Sequence, residues 1–386
     1  MSLEHAHAAL AFSSERQLQA QRPLGQAFAP LSRFAATADG HIRLHANYPH
    51  HRAALLRALG DPKDEQAALA AVGVREATEL EQAIVAAGGA AAEVRSAGDW
   101  RAHPQGQATV GLPLLELTAG EAEAPALPPA GPLPCSGLRV LDLTRVIAGP
   151  VGTRMLAALG AEVLRIDAPQ LPELELAVLD GMVGKRSASL DLRTAAGRET
   201  LAQLLAGADL LVQGYRPGAL DAFGLDQRTL AERHPQLVTV RLSAWGHCGP
   251  WAARRGFDSL VQAACGIALA CGAGGEPGAL PVQALDHATG YLIAASALRG
   301  LTMRALERRA AHAQLALTRT AAWIIDHPAE GNLPAAEADP APYLVEVSSA
   351  FGSLRCLAPP GSLDGTPLAW PRGVPIPGTD PPGWEP

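Results

Sequence analysis

The sequence predicts an α/β protein: a doubly wound, mostly parallel sheet, a smaller α+β domain, and an extended C-terminal segment. Three observations carry this. Short apolar runs alternate with helical periods from Leu138 to Leu242, and the first of them form a β-α-β unit. A separate block before it pairs short strands with helices. After Asp326 the chain changes character, with 13 prolines in its last 61 residues. At 386 residues and 48% apolar content, the chain can bury two sizeable cores.

Residues 1–35 are polar and Ala-rich, with weak helix signals, and read as an N-terminal helical segment. Residues 36–120 read as the small α+β domain. Asp39-Gly40 is a turn, and His41–His45 alternates like a strand. Helices are expected over Tyr48–Leu59, Lys63–Val72 and Glu79–Ala87, each closed by glycine. Residues 121–137, rich in Pro, Gly, Ala and Glu, read as a linker.

Residues 138–330 read as the large domain. Leu138–Leu143 is a buried-strand pattern, Val151–Leu159 a helix stopped by Gly160, and Ala161–Ile166 a second strand. Right-handed crossover makes those strands parallel neighbours. Helices capped by Thr194 and Asp226 and strands at Asp209–Val212 and Leu237–Leu242 continue the alternation. Residues 331–386 read as a Pro-rich segment, an extended wrap or a loose tail, with short strands at Leu344–Val347 and Gly352–Cys356.

A net charge of −7 without a basic run argues against a nucleic-acid partner. No apolar run approaches the roughly 20 residues that span a bilayer, and the first residues lack a signal-peptide pattern. The expectation is a cytoplasmic protein with no membrane partner. Five cysteines without C-x-x-C spacing read as reduced thiols. The histidine pairs His5/His7, His41/His45 and His50/His51 lack a completing carboxylate or thiol. No metal site is expected, and solvated or locally hydrogen-bonded rings are.

A parallel sheet invites a dinucleotide reading, and Asp167 ends the second strand where a ribose-binding acid would stand. The first turn, Thr144-Arg-Val-Ile-Ala-Gly-Pro150, has one glycine, places Val146 and Ile147 where the backbone must approach a pyrophosphate, and loses an N–H at Pro150. That argues against NAD. Neither a phosphate loop nor a G-x-S-x-G elbow is present. Asp286 stands out instead, flanked by the apolar stretches Ile267–Cys271 and Tyr291–Leu306. A shielded carboxylate costs free energy unless paired, hydrogen-bonded or used. From position alone it is a helix N-cap, a nucleophile, or both.

Several motifs, in order, carry a resemblance. Leu141-Asp-Leu-Thr-Arg-Val-Ile-Ala-Gly-Pro150, Leu159-Gly-Ala-Glu-Val-Leu-Arg-Ile166, Gly184-Lys-Arg-Ser187 and Gln213-Gly-Tyr-Arg-Pro-Gly-Ala-Leu220 come first. Ser243-Ala-Trp-Gly-His-Cys-Gly-Pro250, Gly256-Phe-Asp258 and Ala284-Leu-Asp-His-Ala-Thr-Gly290 follow. Together they resemble the class III CoA-transferases, the family of formyl-CoA transferase, carnitine CoA-transferase and alpha-methylacyl-CoA racemase. The resemblance implies a Rossmann-like domain and an enzyme that moves CoA from an acyl-CoA to a carboxylic acid. It implies Asp286 as the nucleophile, through a mixed anhydride and an aspartyl-CoA thioester. No cofactor is implied, since CoA thioester is a substrate, and the partner is a second copy in a homodimer that can interlock. The family's CoA contacts fall on Arg145, Val146, Lys185, Arg186, Tyr215, Arg216 and Gly218. His287 reads as an orienting group or, more simply, a solvent-facing ring.

Three departures stand beside the resemblance. The racemase's proton-abstracting histidine falls on Phe257, which cannot carry a proton, so transferase is favoured. The small domain precedes the large one, as in a permuted chain. The Gly-rich loop that covers the aspartate in formyl-CoA transferases has no counterpart after Ile325. A non-catalytic CoA-binding or partner-stabilising paralogue is the alternative reading.

Overall fold

The computed structural model describes residues 2–328 and 338–385, so residues 329–337, which include the start of the Pro-rich segment, lie outside the description. The N-terminal stretch holds α1 (His5–Ala11) and β1 (Gln19–Ala20). The small unit follows with β2 (Phe34–Ala36), β3 (His41–Leu44), α2 (Pro49–Ala58), α3 (Glu65–Gly73), α4 (Ala77–Ala86) and β4 (Ala91–Glu93). Its antiparallel sheet, in the order β2-β3-β4, shares one apolar core with the helices through Ile42, Leu44, Leu55, Val72, Leu80 and Ile84. Two short helices, α5 (Ala97–Ala102) and α6 (Pro104–Thr109), lead to β5 (Leu115–Ala119). Ser96 caps α5 with a full capping box closed by Asp99.

The expected end of the small domain at residue 120 is corrected by β5. This strand pairs antiparallel with β11 (Ala311–Ala316) and is an edge of the large sheet. Its alternating Leu115 and Leu117 lean on the main core, which pulls the strand across the anticipated boundary. The expected linker is also partly built in. Ala124 and Cys135 are buried and their amides donate to Arg308 and Leu159 carbonyls.

The large sheet takes β6 (Arg139–Leu143), α7 (Ala148–Ala158), β7 (Glu162–Asp167), α8 (Glu175–Gly181), β8 (Arg186–Ser189), α9 (Ala195–Ala206), β9 (Leu210–Gln213), α10 (Gln227–Arg233) and β10 (Val238–Ser243). It continues through α11 (Asp258–Ala264), α12 (Ile267–Ala270), α13 (Ala284–Glu307), β11 and α14 (Leu317–Asp326). The strand order is β5-β11-β10-β9-β6-β7-β8, parallel except at β5. Alternate residues of each strand feed different cores. Val140, Val163, Val212 and Val240 join α7 and α13, while Leu141, Leu164 and Leu211 join α9 and α10. Burial on both faces is why these strands read as continuous apolar runs rather than as alternating ones.

The C-terminal segment wraps onto the body. β12 (Leu344–Val347) and β13 (Leu354–Leu357) form a three-stranded sheet with β1 from the other end of the chain. Farther on, Asp380 accepts from the Ser187 amide, and Trp384 donates to the Leu204 carbonyl.

Candidate active site

The sheet order reverses between β6 and β9, which lie side by side while their following chains depart in opposite directions. In open parallel sheets the crevice at the carboxyl ends of such strands is where ligands bind. A cleft of ≈ 310 Å³ sits there. The turn after β6 contributes Arg145 and Val146, the turn after β9 contributes Tyr215 and Arg216, and Ser243 ends β10. Arg255 and Phe257 come from the loop before α11. The small unit closes one side with Tyr48, His50 and His51.

Val146 is the strained point of this wall. Its φ of 69° is left-handed, a conformation a β-branched residue rarely adopts. Glu173 holds it there: one carboxylate oxygen accepts from the Val146 amide at 3.2 Å and pairs with Arg145 at 3.3 Å and Arg165 at 3.2 Å. Burial alone would raise the Glu173 carboxyl, but Arg145 and Arg165 outweigh it and hold it down to about 2. The Arg145 guanidinium is thereby fixed over the Tyr48 ring at 5.0 Å, at the junction of the two units.

Asp286 approaches the same wall from the other side. It lies in the first turn of α13, not at its N-cap, which is Gln283, so the expected capping role is corrected. Two glycines explain how it gets there. A Cβ on Gly290 would meet Ala148 O and Val151 Cβ at 2.7 Å, and one on Gly152 would meet Gly290 O at 2.7 Å. Only glycine lets α13 press this closely on α7, and Asp286 sits one turn before the contact. That is the physical content of an Asp followed four residues later by Gly.

Asp286 is 7% exposed, and its carboxylate makes no hydrogen bond among the described residues. Burial pushes its carboxyl well above the usual range, and the neighbouring carboxylates Asp258 and Glu15 push the same way. Asp258 is fully buried, accepts from the Asp286 amide at 2.9 Å and from Gln262, and is itself pushed up to about 6, chiefly by burial. A carboxylate that is desolvated and unpaired, yet open to a cleft, is a strong nucleophile once ionised.

A second cavity of ≈ 290 Å³ lies against Asp286, sharing Val146, Phe257 and Asp286 with the cleft. Its other walls come from the N-terminal segment, from Leu174–Ala177 and from His45 and Ser259. Phe257 stacks face to face on His45, with centroids 3.7 Å apart.

The structure brings Arg145, Val146, Tyr215, Arg216 and Asp286 together, and it leaves three anticipated residues out. Lys185 is corrected: it is buried, and its ammonium donates to Asp142 at 2.9 Å, Thr153 at 2.6 Å and the Pro150 carbonyl at 3.1 Å. Arg186 is corrected likewise, because Glu162 and the carbonyls of Pro381 and Gly383 occupy its guanidinium. Gly218, left-handed at φ 83°, is an exposed turn residue outside both cavities. His287 is fully buried and meets Glu15 at 3.1 Å, not solvent. His45 and His51 are buried too; packing against Phe257 and Tyr48 overrides the solvated reading.

Sequence reasoning missed Arg255, Tyr48 and Glu173. The signal for Arg255 was the pair Arg254-Arg255 just before Gly256-Phe-Asp258. Arg254 is tied to the buried Glu81 of the small unit at 3.2 Å, which leaves its neighbour to line the cleft.

Comparison with known proteins gives three findings. A model described as CoA-transferase family III matches residues 135–343, more than half of the chain. A probable fatty acyl-CoA transferase of Mycobacterium tuberculosis is 34% identical over 194 residues, covering 47% of this chain and 49% of that protein. The alpha subunit of a succinyl-CoA–L-malate CoA-transferase of Chloroflexus aurantiacus is 33% identical over 183 residues (42% and 43%), and a formyl-CoA:oxalate CoA-transferase of Escherichia coli 31% over 184 residues (44% of each). The chain thus spans about half or less of the length of these relatives. Among solved structures, the mycobacterial protein aligns with a TM-score of 0.48 at 32% identity, covering 50% of this chain and 56% of that one.

Proposed function

The chain belongs to CoA-transferase family III, and on that premise we propose that it moves CoA from an acyl-CoA thioester to a carboxylic acid with Asp286 as nucleophile. The observation that carries this reading is the unpaired, desolvated Asp286 carboxylate where the arginine-lined cleft meets a second cavity. The cleft suits the phosphates of a nucleotide carrier. Arg216 and Arg255 offer charge there, and Arg145 is oriented by Glu173.

The Asp286 oxygen attacks the thioester carbonyl, the C–S bond breaks, and CoA leaves as thiolate, giving a mixed anhydride. The thiolate attacks the aspartyl carbonyl and expels the donor carboxylate, leaving an aspartyl-CoA thioester. The acceptor carboxylate attacks that thioester, thiolate departs again, and it then takes the acceptor's acyl carbon and releases Asp286. Each covalent step divides one difficult exchange into easier ones, and thioester energy is kept throughout. The burial of Asp286 supports this course, because water would hydrolyse the anhydride. A homodimer belongs to the same proposal.

Incubation with an acyl-CoA and hydroxylamine tests it. We expect a hydroxamate on Asp286, read by peptide mass spectrometry. Absence of label with a panel of short, long and dicarboxylic thioesters overturns the transferase reading in favour of a non-catalytic CoA-binding protein.

A further inference from the structure

Resting on that reading, we infer that the first turn of α2, in the small unit, is the phosphate-binding end of the cleft. Its free amides and the His51 ring hold a phosphate of the CoA carrier against Arg145, Arg216 and Arg255.

The helix start is open. α2 begins after Tyr48 with no side-chain cap, and the amides of His50 and His51 make no hydrogen bond among the described residues. Such a start leaves N–H groups and a partial positive charge without a partner. It does not face bulk water alone, because Tyr48, His50 and His51 line the same cleft as the three arginines. Anions bind where free amides and cations share a concave space.

His51 gives a second, independent sign of a ligand. The residue is 4% exposed yet lines the cleft. Its Nδ1 is closed off, whereas its Nε2 is not, and Nε2 has no hydrogen-bond partner among the described residues. Buried polar side chains are nearly always satisfied. Burial first, then His50, Arg255, Arg145 and Arg216, push the ring down to about 3, so it stands neutral and can donate one N–H. The same causes place all three cleft arginines within electrostatic reach of His51.

The arginines come from three different turns and find little to pair with. Arg255 meets no carboxylate among the described residues, and Arg216 donates only to the Ala253 carbonyl at 3.0 Å. Arg145 is held by Glu173 at the edge of the cleft. Asp286 is the one acid among the described lining residues. A phosphate has oxygens enough to accept from the small unit on one side and from the arginines on the other, which ties the two units together across the cleft.

The test titrates the full chain with CoA, dephospho-CoA and pantetheine by calorimetry, beside the hydroxylamine assay with acetyl-CoA. His50→Glu is the informative variant. His50 is exposed, and an acid in the first turn favours a helix, so stability should hold or rise while the new charge repels phosphate. We expect CoA to bind His50→Glu at least about tenfold more weakly and pantetheine equally, with a loss that shrinks as salt is added. His51→Asn is expected to weaken CoA about tenfold with pantetheine unmoved. A loss shared by dephospho-CoA supports the inference through the diphosphate, and one confined to CoA supports it through the 3′-phosphate. CoA bound equally by wild type and both variants overturns the inference and leaves the transferase reading standing. So does an equal loss for CoA and pantetheine, which marks a structural effect. Phosphate-dependent binding without a hydroxamate on Asp286 supports the inference and sinks the transferase reading, and failure of wild type to bind CoA overturns both.

Discussion

The two cavities that meet at Asp286 are built from opposite materials. The cleft is made by turns at strand ends and carries Arg145, Arg216 and Arg255. The chamber is made by the N-terminal segment, α8 and the small unit, and its charges are mostly acidic and already paired. On the proposed reading, a phosphate-bearing carrier is steered by these cations in a concave, part-solvated site. On that reading, too, a transferred group would be chosen at short range, by shape. One carboxylate on the shared wall would then serve both, since it stands where the two cavities meet.

The hardest strike against this division falls on the shared wall. Asp286→Asn is expected to lower transfer by on the order of 10⁴-fold or more while acyl-CoA still binds. The same change should raise stability at pH 8 and leave it nearly unchanged at pH 4. An acid whose folded pKa is raised keeps its proton as the unfolded chain loses it, so stability falls as pH rises above about 4. Denaturant titration at the two pH values reads this, and equal effects at both would refute the burial argument.

Lys185→Met should separate structure from binding. It strands the buried Asp142 carboxylate, which Lys185 and Arg165 hold below its usual range against the opposing pull of burial. A loss of about 3–5 kcal/mol in unfolding free energy is expected, with KM for acyl-CoA unmoved in the folded fraction. A raised KM at unchanged stability would restore Lys185 to the cleft.

Arg255→Ala tests the cation side. KM should rise about tenfold, and the difference from wild type should shrink as salt is added, since the guanidinium is only part-buried. A salt-independent loss would point to packing instead. The smallest effect concerns Asp258→Asn. Removing its charge lets Asp286 ionise more readily, so the pH-rate profile should shift towards lower pH with little change at its plateau. A shift the other way would show that the hydrogen bond to the Asp286 amide matters more than the repulsion.

Much of the framework was legible from local pattern. The run Leu138–Leu143, the helix stop at Gly160 and the caps at Thr194 and Asp226 each signal their element from neighbours in sequence, and the caps do accept first-turn amides. Asp286 stood out through its apolar flanks, and the resemblance, with its glycine four residues on, assigned it the nucleophile's role. What misled was chemistry read by residue type. Lys185 and Arg186 look like phosphate ligands in a Gly-Lys-Arg-Ser motif, yet their partners, Asp142 and the backbone near Pro381, lie 43 and about 195 positions away. No window of sequence shows that a cation is already taken.

The sequence by itself determined four strands of the large sheet and the parallel pairing of β6 with β7, because these follow from period and crossover handedness. Only the tertiary structure decided that β5 crosses into the large sheet and that the C-terminal segment wraps over Arg186. It also decided that Tyr48, His50 and His51 of the small unit line the same cleft as Asp286. Those outcomes depend on which distant groups satisfy one another's charges and hydrogen bonds. That competition is settled in three dimensions, where a buried cation finds its carboxylate and a buried hydroxyl is left without one.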